Sequence, residues 1–430
     1  MSKTERMKER GITEYSVLVC ILLLKIWCGF ANQAMLFTIG GPFSGVIDIA
    51  ICAYAIVNIN RINRGRNINQ VTYKFIVYVA CFFVVYSFVF SFGAQTLPKE
   101  SFLGLIVLPK QISNAFFNVI YLIGMIPIVK NLKIGERKFV SDFMTVVFFA
   151  VAIANIVTGI LNPELVKNEA YTEGTSLFTL GYSGSYNLML IAPILLYKIR
   201  SSKSKVLFVA LFICNFVSIF YGGYFIAILG TIIAFLMYVI LRMKNKGIVI
   251  FLSTVMIVSV IVLISSGTLE KLMLYLADNI DVEVISGRCR DIARYLSGDT
   301  SVDKGDTTFR IYIYKDTWNS FLKHPLLGNY IFGNYNCQWD HATLLDILSV
   351  GGLILGSVFF ALIALGYKFA SSFMKDERAK RALLASIIAY LFVACINSVL
   401  SYKLLGALFI LAPIMMGGKD TDESSDIASL

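Results

Sequence analysis

The sequence predicts an all-α, polytopic integral membrane protein with about 12 transmembrane helices and one large extracytoplasmic loop carrying short helices. Three observations carry this expectation. Of the 430 residues, 57% are hydrophobic and 15% charged, whereas soluble domains carry about 25% charged residues. The apolar residues fall in continuous runs of about 20, the length that crosses a ~30 Å hydrocarbon core as a helix; a transmembrane β-barrel would instead show alternating segments of about ten. Finally, Gly267 to His341 is the only long polar segment, with apolar sequence on both sides, and it holds both histidines, His324 and His341.

The apolar windows centre near Leu23, Ile49, Val84, Ile120, Phe149, Leu190, Phe212, Ile233, Val258, Val358, Leu391 and Leu408. The N-terminus, MSKTERMKERGITEYS, mixes acidic with basic residues and has no small-residue cleavage site after the first apolar run, so it reads as a retained cytoplasmic tail. Basic residues near span ends stay cytoplasmic. One alternating set of connectors is strongly basic: Lys3 to Arg10, Arg61 to Arg66, Lys130 to Lys138, Lys198 to Lys205, Arg242 to Lys246 and Lys368 to Arg381. The opposite short loops offer little beyond Lys99, Lys110, Lys167 and Lys403, which puts both termini on the cytoplasmic side of the inner membrane and the long loop outside. Most of the +11 formal charge lies in these connectors, so topology accounts for it and nucleic acid is not an expected partner.

The resulting layout is 1–266, an N-terminal bundle of about nine spans; 267–342, the large loop; 343–418, the C-terminal transmembrane helices; and 419–430, an acidic cytoplasmic tail. A smaller outward loop, Asn162 to Asn187, is rich in Gly, Ser and Tyr. Within the large loop, DVEVISGRCRDIARYLSG reads as a short helix ending at Gly298, followed by a turn-rich stretch. TTFRIYIYKDTWNSFLKHP reads as a second helix stopped before Pro325, with Phe309, Tyr312, Trp318 and Phe321 suiting it to the membrane interface.

Four arginines, Arg288, Arg290, Arg294 and Arg310, fall in this loop, where the positive-inside bias gives no reason for them. They read either as a solvated charged surface, with Asp291, Asp299, Asp303, Asp306 and Asp316 as partners, or as a planar bidentate clamp for phosphate oxygens, which Arg supplies better than Lys. His341 opens the tenth span beside Asp340. It is either a polar interface residue or a general base, since imidazole exchanges protons near neutral pH. His324, next to Pro325, fits a turn. Asp346, five residues beyond His341, either orients it or pairs with another neighbour. Trp339 can stack on a sugar ring or anchor the interface.

The order Arg310, Trp318, HPLLGN from His324 to Asn329, and DHATLLDILSVGGLILG from Asp340 to Gly356 resembles the Wzy-type O-antigen polymerases of the O-antigen polymerase and ligase superfamily. Such enzymes show an Arg, a Trp about eight residues on, a Pro-x-x-Gly turn, and a His opening a span with a carboxylate and glycines. Arg310, Trp318, Pro325, Gly328, His341, Asp346, Gly351 and Gly356 stand in those places. The sequence departs from the pattern at Tyr330, at Ala342, and at Tyr221 in SIFYGGYF, where an Arg is common; Arg288 is the substitute candidate for that cation.

The resemblance implies polymerisation of undecaprenyl-diphosphate-linked repeat units into O-antigen or capsule on the outer face of the membrane. His341 and Arg310 would be catalytic, and Arg288, Arg290, Asp346 and Trp339 would bind diphosphate or sugar. It also implies a possible chain-length regulator, alongside membrane lipids, as a partner. An O-antigen ligase shares the donor chemistry. A lipid-linked oligosaccharide flippase or other transporter is the rival of another class, but it would concentrate polar residues at the bilayer midplane. No cofactor is expected, and no cluster with metal-ligand spacing is present in the sequence.

Two further pairings are expected. Lys25 and Asp48 flank a short turn and would meet as an intramembrane salt bridge. Cys289 and Cys337, the two cysteines outside apolar sequence, would close a loop of about 50 residues as a disulfide contributing on the order of 4 kcal/mol.

Overall fold

The computed structural model describes residues 12–27, 70–94, 122–126, 129, 131–161, 181–222, 224–243, 247–248, 251, 254–255, 258, 262, 265–280, 283–298, 307–333, 342–400 and 402–417. Among these, every regular element is helical. In chain order they are α1 (Glu14–Trp27), α2 (Gln70–Ala94), α3 (Ile134–Leu161), α4 (Gly181–Ser201), α5 (Lys205–Tyr221) and α6 (Phe225–Arg242). There follow α7 (Thr268–Asn279), α8 (Glu283–Leu296), α9 (Thr307–Lys323), a 3₁₀ turn (Tyr330–Phe332), α10 (Thr343–Ser371) and α11 (Glu377–Ala394). The run called α12 consists of Tyr402–Gly406, a π-helical stretch Ala407–Leu411, and Ala412–Met416.

Three of the described helices, α3, α6 and α10, are long and apolar enough to cross a membrane. Shorter apolar helices lie in α1, α2, α5 and α12. About twelve continuous spans were expected. The window near Ile49 lies outside the described residues, and those near Ile120 and Val258 lie largely outside them. α4 and α11 cover two more windows but carry polar ends, GYSGSYN and ERAKR. Both are largely buried against other helices, where polar side chains find protein partners in place of lipid.

α4 is the hub, packed by α5, α6, α11 and α12, with Pro193 inside it. Asparagines join the helices at one end of this hub. Asn215 Nδ2 donates to the Leu188 carbonyl at 2.8 Å, and Asn155 Nδ2 donates to the Ser218 carbonyl and Oγ at 2.8 and 3.0 Å. On the other side α2 packs along α10 through Phe82 and Phe359, 5.7 Å apart, and through Phe75, stacked on Phe369 at 5.1 Å.

The two ends of the bundle differ chemically. One gathers the starts of α1 and α3 with the ends of α10 and α12: Thr13 Oγ1 donates to Glu136 Oε1 at 2.6 Å, and the Arg137 guanidinium lies 5.4 Å from the Phe373 ring. The last turn of α4 and of α6, with Arg200 and Arg242, shares that end with Asp376. The other end carries α8 and α9 and the start of α10.

The two loop helices lie close to where the sequence puts them, with Gly298 at φ 84° ending the first. α7 and α8 pair as a hairpin that docks by Ala277, Ile285 and Cys289 onto Phe220, Phe225 and Ile228, the α5–α6 corner.

The clearest departure from expectation is in α10. The apolar run from Thr343 reads as one span, yet the helix breaks at Gly352 (φ 63°, ψ −162°). The freed backbone groups are taken up by the HPLLGN turn that follows α9. Leu353 N donates to the Pro325 carbonyl at 2.8 Å and Ile354 N to the Leu326 carbonyl at 3.3 Å. In return, the Ser349 carbonyl accepts from both Asn329 N and Nδ2 at 2.9 Å. A broken helix is tolerated in an apolar setting when its orphaned groups are paired in this way.

Candidate functional site

α9 supplies the site with residues one helical turn apart. Arg310 and Tyr314, at i and i+4, share one face, and the Arg310 charge acts on the Tyr314 phenol. That phenol donates in turn to the Ile396 carbonyl at 2.5 Å, joining α9 to the turn after α11. Burial pushes the Tyr314 phenol above its ordinary range, Arg310 pulls it down, Asp346 raises it and Arg288 lowers it. The hydroxyl therefore stays protonated at neutral pH and acts as a donor. Arg310, Asp346 and Arg288 thus each act electrostatically on the Tyr314 phenol.

The floor of the site is the start of α10. Asp346 is buried, and its Oδ2 accepts from Ala342 N at 3.2 Å, satisfying one donor of the first turn. Thr343 is tied to the same turn that Tyr314 touches: its N donates to the Asn397 carbonyl at 3.2 Å, and its Oγ1 accepts from Val399 N at 2.7 Å. Asn397 Nδ2 donates to the Tyr186 hydroxyl at 2.5 Å, which carries the network into α4. Segment 396–399 is thus held from three helices.

The four loop arginines separate. Arg288 is mostly covered and pairs with Asp291 at 3.2 Å. Arg290 points elsewhere, to Asp278 at 3.9 Å, with both side chains more than half exposed; such a pair contributes little. Arg294 is exposed. Arg290, a sequence candidate for diphosphate binding, is accordingly not brought to Arg310. The reason is helical geometry: Arg288 and Arg290 are two residues apart on α8 and face different ways.

His324 ends α9 and stacks on Phe332, ring centroids 4.2 Å apart, while its carbonyl accepts from Gly328 N at 2.9 Å. That is the turn role its sequence position indicates. Trp318 is exposed and leans on Phe321 at 5.1 Å. His341 and Trp339 lie outside the described residues, as does Asp48 of the expected Lys25 pair. Tyr221, in the place where an Arg would stand, packs its Cβ against Gly159 of α3.

Cys289 is a buried free thiol, and the expected bridge reaches to Cys337, which lies outside the described residues. Its side chain faces the α5–α6 corner and serves as a small packing residue. Burial also pushes the thiol above its ordinary range. Cys289 is therefore expected to resist iodoacetamide at pH 8 in the folded protein and to react fully once denatured; rapid labelling of the native protein, read by peptide mass, would contradict its packing.

Sequence reasoning missed Tyr314, Tyr186 and Asn397. Tyr314 had a signal, being four residues beyond Arg310 on a helix. The other two had none, since only the tertiary fold brings α4 to the 396–399 turn.

These features define a helical, membrane-type protein whose bundle carries, at one end, a cation-bearing pair of loop helices locked onto a broken span. Residues 207–329, from α5 to the Asn329 that seals the break, match the O-antigen ligase family. The match supports membership of the O-antigen polymerase and ligase superfamily and does not separate polymerase from ligase. Comparison with curated proteins gave no match.

Proposed function

We propose that the protein is a membrane glycosyltransferase that polymerises undecaprenyl-diphosphate-linked oligosaccharide repeat units on the outer face of the cytoplasmic membrane. The observation that carries this reading is the family match over residues 207–329, a stretch that holds Arg288, Arg310 and the Tyr314 phenol anchored on Ile396, with the buried Asp346 following it in α10. A guanidinium whose phenol neighbour is anchored on the backbone is suited to a diphosphate leaving group, whose charge grows as its bond to sugar lengthens.

In this reaction the anomeric carbon of the donor glycan loses its bond to the diphosphate oxygen and gains one to an acceptor hydroxyl oxygen. The acceptor proton passes to His341 as general base, and the lipid diphosphate leaves with the electron pair, stabilised by Arg310 and Arg288. Asp346, in the first turn of α10, orients the His341 segment through the Ala342 N–H that it accepts.

The test is surface polysaccharide length in a deletion strain complemented with wild type or His341→Ala at matched membrane abundance. A ladder restored by wild type and a single capped repeat from the variant support polymerisation. Loss of every capped species points to a ligase or flippase, and an unchanged ladder removes His341 from the reaction.

Tyr314→Phe, which removes the phenol's anchor on the Ile396 carbonyl beside Arg310, is expected to lower chain extension by roughly 10-fold, the scale of one lost hydrogen bond, while membrane abundance stays near wild type. A normal initial rate of polymer formation in isolated membranes would remove the phenol from the site.

A further inference from the structure

We infer that the turn following α9, residues 325–332, is immersed in the bilayer hydrocarbon on the loop side of the membrane and forms a lipid-facing surface continuous with α10. This inference is independent of the glycosyl-transfer reading.

Depth comes from the pairing with α10. A hydrocarbon core is ~30 Å thick, and the unbroken part of α10 from Lys368 back to Leu353 climbs roughly 22 Å of it by helical rise. Leu353 then sits roughly 8 Å inside the far boundary of that core, and Leu353 is the residue whose N–H the Pro325 carbonyl holds. The turn is therefore carried below the interface by hydrogen bonds to the span itself, and α9 descends to it from Tyr314.

Surface chemistry agrees with that depth. Leu326, Leu327, Ile331 and Phe332 are all large, apolar and exposed, and they lie beside Leu353 and Ile354, exposed on a helix apolar enough to cross a membrane. Four such side chains within seven residues make a poor aqueous surface. Irregular backbone in hydrocarbon requires its polar groups to be paired, and here Asn329 N, Gly328 N and the Pro325 and Leu326 carbonyls all are. Lys323, exposed at the end of α9, has a stem long enough to reach back to the head groups. The occupant of this surface is the acyl chains of the surrounding bilayer.

The experiment places single cysteines at Leu327→Cys, Phe332→Cys and, as an aqueous control, Ser297→Cys, an exposed position after α8. Full-length protein is reconstituted in phosphatidylcholine vesicles open to the loop face, and background is read from the unsubstituted protein. Labelling of positions 327 and 332 by a charged maleimide is expected to be at least about tenfold slower than at 297 and equal to it after denaturation. A bimane fluorophore attached at 327 before reconstitution is expected to be quenched by lipid brominated in mid-chain far more than one at 297. Equal labelling rates at all three positions would overturn the inference. Slow labelling without bromolipid quenching would also overturn it, because protein, not lipid, would then be the cover.

Discussion

Arg310→Ala is expected to abolish chain extension, by roughly 10²–10³-fold or more, while the protein still accumulates in the membrane. That magnitude is typical for removing one preorganised donor aimed at developing charge. Arg310 is half-buried on α9, one helical turn from the Tyr314 phenol, which is itself fixed to the Ile396 carbonyl. The cation is thus oriented before any substrate arrives, and little reorganisation is left for the reaction. Lysine keeps the charge but has no planar fork, so Arg310→Lys is expected to recover only a small part of the activity. The measurement is the polysaccharide ladder at matched abundance, followed by the initial rate in isolated membranes. A full ladder from Arg310→Ala would take Arg310 out of the reaction; full rescue by Lys would mean that charge alone is needed.

Much of this arrangement was legible in the sequence because it rests on local chemistry. The all-helical class follows from long apolar runs, and α8 and α9 follow from Gly298 and Pro325 as stops. Arg310 and Asp346 emerge from charge set where topology does not require it. What was not legible depends on contacts between distant segments. The distinction between Arg288 and Arg290 is decided by how α8 rotates as Ala277, Ile285 and Cys289 settle on the α5–α6 corner. That same rotation buries Cys289 and leaves its thiol free. The break in α10 was hidden for a different reason. SVGGLILG has the hydropathy of an uninterrupted span, and only the HPLLGN turn, about 25 residues earlier in the chain, supplies the partners that make a break tolerable. The sequence pattern singled out Gly328 and Gly351, but spacing does not say that such glycines are places where two backbones meet.

Gly352→Ala is expected to cost roughly 4 kcal/mol or more and to empty the membrane of folded protein. The left-handed conformation alone costs a side-chain-bearing residue about 1–2 kcal/mol, and φ 63° with ψ −162° is a region that glycine alone occupies readily. To this is added collision, since a Cβ at Gly352 would stand 2.3 Å from the Leu326 carbonyl oxygen. Backbone cannot yield as a side chain can, so the turn must lift and surrender the hydrogen bonds from Leu353 and Ile354, at about 1 kcal/mol each. Gly328→Ala meets the same obstacle from the other side, 2.2 Å from the Val350 carbonyl oxygen at φ 76°. Gly298 separates the two causes: its φ is 84° but nothing lies within 4 Å of a Cβ there, so Gly298→Ala is expected to lose only about 1 kcal/mol. Thermal unfolding in detergent should therefore rank Gly298→Ala near wild type and the other two far below. If Gly352→Ala instead melts with Gly298→Ala, the clamp does not hold α9 to α10. If it melts low, any fraction rescued at reduced temperature should be inactive with Arg310, Tyr314 and Asp346 all intact, because what positions α9 over Asp346 is the backbone seam between the turn and the broken span.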